Sequence, residues 1–552
     1  VLVVVVLALA GCAVGPSQRP PVATINSDAP SGPPPGSSSA PAPPPAALPP
    51  LVASSPAVPF TECTGPVVAE LGGPAVLGGR DLRMGCATVP VGGGFATGSS
   101  ASAAEVDVTR VTLGPAPAAA TVPIAVLGDP GRRTGTEAAV RLAARGPADL
   151  LTGRTLYGVD VRGSSGTAVD CVTPTTRAAL DDADPAAADP VALAPLAAAA
   201  SSAARTCSQL LEDSLTDFTT ATDADDLEEV RQAIGARQLN AVGLGGGASA
   251  LARWAQAHPG AQGRLVLDAL PDPTATEPVE SDQRAAAARA GLDAFATACV
   301  ATGNCPLGPD PRAAVADLVG RLRAAPLPAA PTATGAVPGR VVTAGTVVTV
   351  LVDRLGDPDS WPTLATALAA ARAGDPAGVL ALAEAREGVG SGGTGGAGSS
   401  GGTGSAGGAA GLAGSGDAGY DLGLVQTCND DANRQTLDQV GAAVRRAVVG
   451  DPVFGGWFVQ RALACASWPV PTDAPAPLAG TPTPALLLGT AADPAVPLAE
   501  SQRVAAGMQG TVLVSWLGAG HGAFPGTPCI AGVVEDFLVG GAIPREETVC
   551  PP

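Results

Sequence analysis

Gly518-Ala-Gly-His521-Gly and Gly489-Thr-Ala-Ala-Asp493-Pro carry two residue types that together activate a nucleophile. An imidazole takes the proton from an attacking hydroxyl, and a carboxylate behind it orients the ring and stabilises the imidazolium. Asp493 comes first, then one expected helix and strand, then His521, which suits an acid and a base on neighbouring loops of one sheet. The chain has two histidines, and the other, His258, closes a helix where the dipole favours it. The missing partner is the nucleophile. It belongs on a sharp strand-to-helix turn, G-x-S-x-G, and the segment A-V-G-L-G-G-G-A-S-A (Ala241 to Ala250) is built like one. Its five central residues are Gly243-Leu244-Gly245-Gly246-Gly247, so Gly245 holds the position that should carry a hydroxyl. Ser249 lies about one helical turn further on and points away from the apex. Ser164 and Ser165 belong to another loop, and the strict match Gly398-Ser-Ser-Gly-Gly402 falls in a low-complexity tract with no strand before it.

Positioning these groups requires alternating strands and helices. Thr121 to Gly128 and Leu156 to Gly163 are short apolar runs ended by glycine, as buried parallel strands are. Asp223 to Gly235 has an Asp start, helical apolar spacing and a Gly stop. Leu239 to Leu244 reads as a strand, Ala248 to His258 as a helix, and Arg264 to Asp268 as a strand again. From Glu277 to about Trp468 the pattern is helical and Ala-rich; strands return at Pro484 to Thr490 and Thr511 to Leu517. This order is α/β with a mostly parallel sheet and an inserted helical cap.

Composition narrows the setting. The 552 residues are 46% hydrophobic with a net charge of −19 and no lysine, so no basic stripe exists for nucleic acid. The apolar start ends at Leu9-Ala-Gly-Cys12, the form of a signal segment with a lipobox, which makes Cys12 a lipidation site and the membrane a partner through that anchor. Ten other cysteines, Cys63, Cys86, Cys171, Cys207, Cys299, Cys305, Cys428, Cys465, Cys529 and Cys550, lack metal spacing; five disulfides in an oxidising, extracytoplasmic location are expected. Pairing sequential neighbours is simplest, with the connectivity left open. No metal or other cofactor is expected. The resulting divisions are a signal peptide at 1–12, a disordered Pro/Ala/Ser linker at 13–58, a first core segment at 59–275, a cap at 276–470 with a disordered Gly/Ser-rich insertion at 388–416, and a final core segment at 471–552.

From Cys63 to Cys550 the chain resembles secreted α/β-hydrolases of the tripeptidyl aminopeptidase type, serine peptidases with a helical cap. Gly128-Asp-Pro-Gly-Arg-Arg-Thr-Gly135 corresponds to that family's oxyanion loop G-G-P-G-G-S-G, and Asp160-Val-Arg-Gly163 to its D-x-R-G loop. D-F-T-T-A-T-D-A-D-D-L and V-L-D-A-L-P-D-P flank the turn; C-P-L-G, W-P-T-L-A and C-A-S-W-P resemble cap markers; the last two motifs place Asp493 and His521 as acid and base. The resemblance implies an α/β-hydrolase fold, with Gly246 and the loop at Asp129 forming the oxyanion hole. It also exposes two departures, Gly245 for serine and Asp129 for glycine, the latter a carboxylate beside a developing oxyanion unless an arginine neutralises it. Two functions remain open. One is a catalytically impaired hydrolase that keeps a cleft for a peptide or small ligand. The other is an active hydrolase in which Asp493 and His521 drive a water into the space left at Gly245.

Overall fold

Runs such as Pro-Ile-Ala-Val-Leu and Leu-Asn-Ala-Val-Gly-Leu are too short for helices and carry no polar face, so they pair as strands covered on both sides. A computed structural model describes residues 47–97, 100–164, 168–277, 279–329, 337–387, 415–470, 476–481 and 483–552. Its strands are β1 (Thr61–Glu62), β2 (Leu82–Thr97), β3 (Ser100–Leu113), β4 (Val122–Leu127), β5 (Arg154–Asp160), β6 (Leu239–Leu244), β7 (Gln262–Asp268), β8 (Leu327–Pro328), β9 (Val341–Val342), β10 (Ala485–Ala492), β11 (Thr511–Ala519) and β12 (Thr548–Cys550). Ten form one sheet in the order β1-β2-β3-β5-β4-β6-β7-β10-β11-β12, while β8 and β9 make a small pair in the cap. Pairing is parallel from β5 through β12 and antiparallel among β1, β2, β3 and β5. This is the expected α/β class. The antiparallel β2–β3 hairpin is an addition that the sequence pattern did not announce.

Because the central strands run in parallel, the loops after β4, β6, β10 and β11 all open at one end of the sheet. Those four loops carry Asp129, Gly245, Asp493 and His521. At the same end, the loop after β5 carries Arg162, which forms a buried pair with Asp226, Arg162 Nε lying 2.7 Å from Asp226 Oδ2. Arg162 also donates to the Gly92 carbonyl, joining the D-x-R-G loop to β2 and to the helix Thr220–Ala233.

The inserted cap is helical. Its helices run from Val279–Ala301 to Gly455–Arg461, and six of them share a core of residues such as Phe295, Val348, Leu351, Leu368 and Trp457. The cap is not confined to its own segment. Between β5 and β6, helix Pro174–Asp181 joins it through ion pairs, Arg340 spanning Asp182 and Glu387 and Arg177 holding Asp421 at 2.8 Å, and helix Pro190–Leu211 meets it through the Ser201 and Ser467 hydroxyls.

Two boundaries move. Residues 47–58, expected within the linker, lie on the core: Ser54 pairs with Thr121, the Ala57 amide donates to Ala233, and Arg264 donates to the Pro49 carbonyl. Proline and serine there satisfy their backbone groups on the sheet domain, so composition alone misplaced the boundary. A helix, Ser415–Asp430, begins at the end of the Gly/Ser-rich tract. Cys12, Ser165 and the tract at 388–414 lie outside the described residues. The ten remaining cysteines form Cys63–Cys86, Cys171–Cys207, Cys299–Cys305, Cys428–Cys465 and Cys529–Cys550, the sequential pairing. Among the described residues no helix is long and apolar enough to cross a membrane.

Removing one partner of the Arg162–Asp226 pair leaves a charge buried without compensation. Arg162→Ala should therefore lower the unfolding free energy in urea by about 3–5 kcal/mol, and Arg162→Met with Asp226→Leu should recover most of the loss. Unchanged stability in the single variant would show that Asp226 is not dependent on its partner.

Candidate functional site

β6 ends at Leu244 and the helix Gly246–Ala257 starts at once, with Gly245 between them at φ 55° and ψ −118°. That left-handed, strained conformation is the one a strand-to-helix elbow imposes on its apex residue. The elbow is locked from both sides. The Gly245 amide donates to the Asp268 carbonyl, and the Gly247 amide donates to that of Gly128. Gly247 admits no side chain, since a Cβ there would stand 2.2 Å from the Gly128 oxygen. The backbone of a nucleophile elbow is thus intact without the nucleophile.

Asp493 follows β10 and is fully buried. Its Oδ1 accepts the amides of Ala495 and Val496 at 2.8 and 3.1 Å, which fixes the carboxylate before it meets the imidazole. His521 Nδ1 lies 3.0 Å from Asp493 Oδ2. The His521 amide donates to the Gly356 carbonyl of the cap at 2.7 Å, so the cap helps to place the ring. The acid and base read from sequence are therefore brought together.

The space above Gly245 is filled. A Cβ on Gly245 would fall 2.5 Å from Asp129 Cγ, which means that the Asp129 carboxyl occupies the volume a serine side chain needs. Its Oδ1 accepts the Gly246 amide at 2.8 Å, and its Oδ2 lies 3.0 Å from His521 Nε2. Arg132 Nε stands 3.6 Å from the same Oδ2, while Arg133 turns away to Glu137. This overturns the expectation that Gly245 leaves room for a water driven by Asp493 and His521. It also changes the reading of the oxyanion hole at Asp129 and Gly246. The Gly246 amide already holds a carboxylate, and the Asp129 amide donates to the Arg133 carbonyl at 2.9 Å. Neither is directed at an incoming oxyanion.

Charge follows geometry. Burial works against an ionised His521, but the Asp493 charge and the hydrogen bonds the ring donates to both carboxylates outweigh it, raising its pKa to about 9. Burial likewise works against an ionised Asp129, and the His521 bond and charge, helped by Arg132 and the Gly246 amide, hold it below the usual carboxylate range. At neutral pH His521 is therefore an imidazolium held against the ionised Asp129, and it has no free lone pair to act as a base.

Two further parts were not singled out from sequence. Asp268, at the end of β7, accepts the amides of Ala523 and Phe524 at 2.8 Å each, tying the loop after His521 to the strand beside the elbow. A carboxylate at the end of a buried strand was the available signal. The cap helix Ser415–Asp430 presses Gly423 against Gly131, where an added Cβ would come within 2.8 Å of the Gly131 Cα, and so closes over the Asp129 loop. Ser249 lines the cleft one turn into the elbow helix, and Ser164 is buried and donates to the Val161 carbonyl, so neither occupies the apex. The cleft itself, about 1060 Å3, reaches from Asp129 and Gly245 to Asp272, Glu280, Asp430, Trp457 and Phe458. Among the described residues no group of His, Cys, Asp and Glu is arranged to hold a metal ion.

Residues 451–550 match a family profile described as TAP-like protein, and that segment includes both Asp493 and His521. Serine protease Hip1 of Mycobacterium tuberculosis and that of Mycobacterium bovis are each 28% identical to this chain over 360 residues, 63% of this chain and 64% of theirs. The match thus spans a little under two thirds of those relatives. A solved proline iminopeptidase from Mycobacterium smegmatis is 16% identical, covering 83% of this chain and 98% of its own, with a TM-score of 0.34.

The two histidines make the central charge state measurable. In a His258→Asn background the remaining imidazole resonance should titrate near 9, and Asp129→Asn should bring it down toward the ordinary value near 6.5. Because the folded value is raised, the stabilisation is complete below about 6.5 and is lost as pH climbs through 9, on the order of 3 kcal/mol in all. Urea titrations at pH 6 and pH 10 check this: an equal pH dependence in wild type and Asp129→Asn would show that the pair contributes nothing.

Proposed function

We propose that this chain, whose residues 451–550 match a TAP-like profile, is an extracytoplasmic, lipid-anchored protein of α/β-hydrolase fold that has lost serine-type acyl transfer and keeps its cleft for a peptide or small ligand. The observation that carries this is the Asp129 carboxylate at the elbow apex. Losing the nucleophile alone costs about 10⁶ in kcat in a well-studied serine protease, and losing one oxyanion donor costs about 10²–10³ more in such sites. Here Gly245 removes the nucleophile, and Asp129 both fills the space its side chain would need and takes up the Gly246 amide.

Direct attack by water finds little support in this geometry. A general base must present an unprotonated nitrogen to water, and His521 Nε2 is engaged by Asp129 in a pair that favours the imidazolium. The five disulfides and the Hip1 relatives support a location outside the cytoplasm. Anchoring at Cys12 and occupation of the cleft are part of the proposal.

The test is labelling by a fluorophosphonate probe. Wild type should not react. Gly245→Ser alone should also fail, because its Cβ meets the Asp129 carboxyl, whereas Asp129→Gly with Gly245→Ser should label and cleave aminoacyl esters well above wild type. Labelling of the wild type, or silence from a folded double variant, would sink the reading.

A further inference from the structure

Three helices bring their last residues together at the wall of the cleft. Pro174–Asp181 ends on Asp181, Ala377–Arg386 on Arg386 and Gly455–Arg461 on Arg461. The dipole disfavours a carboxylate at a helix C-terminus, so Asp181 depends on the cations around it. Arg386 Nη1 donates to its Oδ2, Arg461 Nη1 lies 3.4 Å from its Oδ1, and the Tyr420 hydroxyl stands 3.4 Å from that same oxygen.

The charges at this point do not balance. Two guanidiniums share one buried carboxylate, and Asp353, also on the cleft wall, is paired with Arg354 at 3.1 Å. Two neighbouring arginines are matched and buried: Arg340 has Asp182 and Glu387, and Arg177 has Asp421 and Asp170. Arg386 and Arg461 instead line the cleft with 25% and 28% of their side chains exposed. Donors are left over too. Among the described residues Arg386 donates only to Asp181, and Arg461, whose Nη2 donates to the Leu180 carbonyl at 2.6 Å, has a buried Nε without a partner. Burial, with the Arg386 charge acting in the same direction, outweighs Asp181 and holds the Arg461 pKa below its ordinary value. Aromatic faces steady both planes, Tyr420 at 5.1 Å from Arg386 and Trp457 at 4.8 Å from Arg461.

We propose that Arg386 and Arg461 form a subsite for a single carboxylate group carried on an apolar body, an inference that rests on the reading of the cleft as a ligand site and names the ligand's chemistry. A carboxylate is planar and meets guanidinium N–H groups in pairs. Its one charge equals the one cation that Asp181 leaves uncompensated. A phosphate monoester would bring about two charges into a cleft that already carries Asp129, Asp272, Glu280 and Asp430. Leu424, Trp457 and Phe458 supply the apolar wall beside the arginines. Orientation follows from the helix Ser415–Asp430: Tyr420 lies about one turn before Gly423, which rests on Gly131 of the Asp129 loop. The ionised Asp129 repels a second anion from the elbow, so the carboxylate end turns to the arginines and the rest of the ligand extends toward Gly245.

Calorimetric titration of the full chain at pH 7 with N-acetyl-alanyl-phenylalanine, its C-terminal amide and 3-phenylpropanoate tests this. The peptide acid should bind about 10-fold or more tightly than the amide, and Arg386→Gln or Arg461→Gln should each remove most of that difference. The double variant is made with Asp181→Asn, so that no uncompensated charge stays buried, and should bind acid and amide alike. 3-Phenylpropanoate bound as tightly as the peptide acid assigns the subsite to small carboxylic acids; binding about 10-fold weaker assigns it to peptide C-termini. Acid and amide bound alike by wild type overturns the inference, whether or not the variants fold, and leaves a ligand-holding cleft in place. Binding of none of the three overturns it as well, while silence toward the fluorophosphonate probe still upholds the loss of acyl transfer.

Discussion

One carboxylate, one backbone N–H and an imidazole set the character of this site. Asp129 is carried away from bulk water by the loop after β4 and would be costly there without donors. It finds them in the Gly246 amide at the start of the elbow helix and in His521, with Arg132 at longer range. Each donor belongs to a different segment. A single side chain therefore closes a ring of contacts across the loops after β4, β6 and β11, and Asp493 extends the ring to the loop after β10. The imidazolium between two carboxylates follows from this packing, and so does the absence of a directed oxyanion donor.

The rest of the molecule supports that ring mechanically. Parallel pairing brings the four loops to one end of the sheet, and Asp268 uses its carbonyl on the elbow and its carboxylate on the segment after His521. The cap adds contacts from above, through Gly356 on the His521 amide and Gly423 on Gly131. Arg141 of the helix after the Asp129 loop reaches Asp357 and Asp359 next to Gly356, so the Gly356 contact is itself braced against the core. Such bracing on all sides limits how far Asp129 can withdraw without moving the cap. That coupling separates this site from an open cleft with a missing side chain.

Much of the frame was legible in the chain. The strand expected at Leu239 to Leu244 is β6 to the residue, and Arg264 to Asp268, Pro484 to Thr490 and Thr511 to Leu517 fall within or one residue beyond β7, β10 and β11. Apolar runs and glycine stops are local signals, and they survive in the fold because buried parallel strands have no other face to choose. The β2–β3 hairpin was missed, as were the docking of residues 47–58 and the helices between β5 and β6 that join the cap. Each depends on partners far away in sequence, which local periodicity does not report.

The site divides in the same way. Residue types and their order determined on their own that Asp493 and His521 form an acid–base pair, that Gly245 sits at an elbow without a hydroxyl, and that Asp129 is foreign to an oxyanion loop. Only the tertiary structure decided what those facts mean together. Asp129 and Gly245 are separated by more than a hundred residues, and whether a carboxylate stands beside an empty position or inside it depends on the crossing of two loops at the sheet end. That crossing is set by the pairing of β4 with β6 and by the contact of Gly247 with the Gly128 carbonyl, a matter of distances that composition and spacing do not contain.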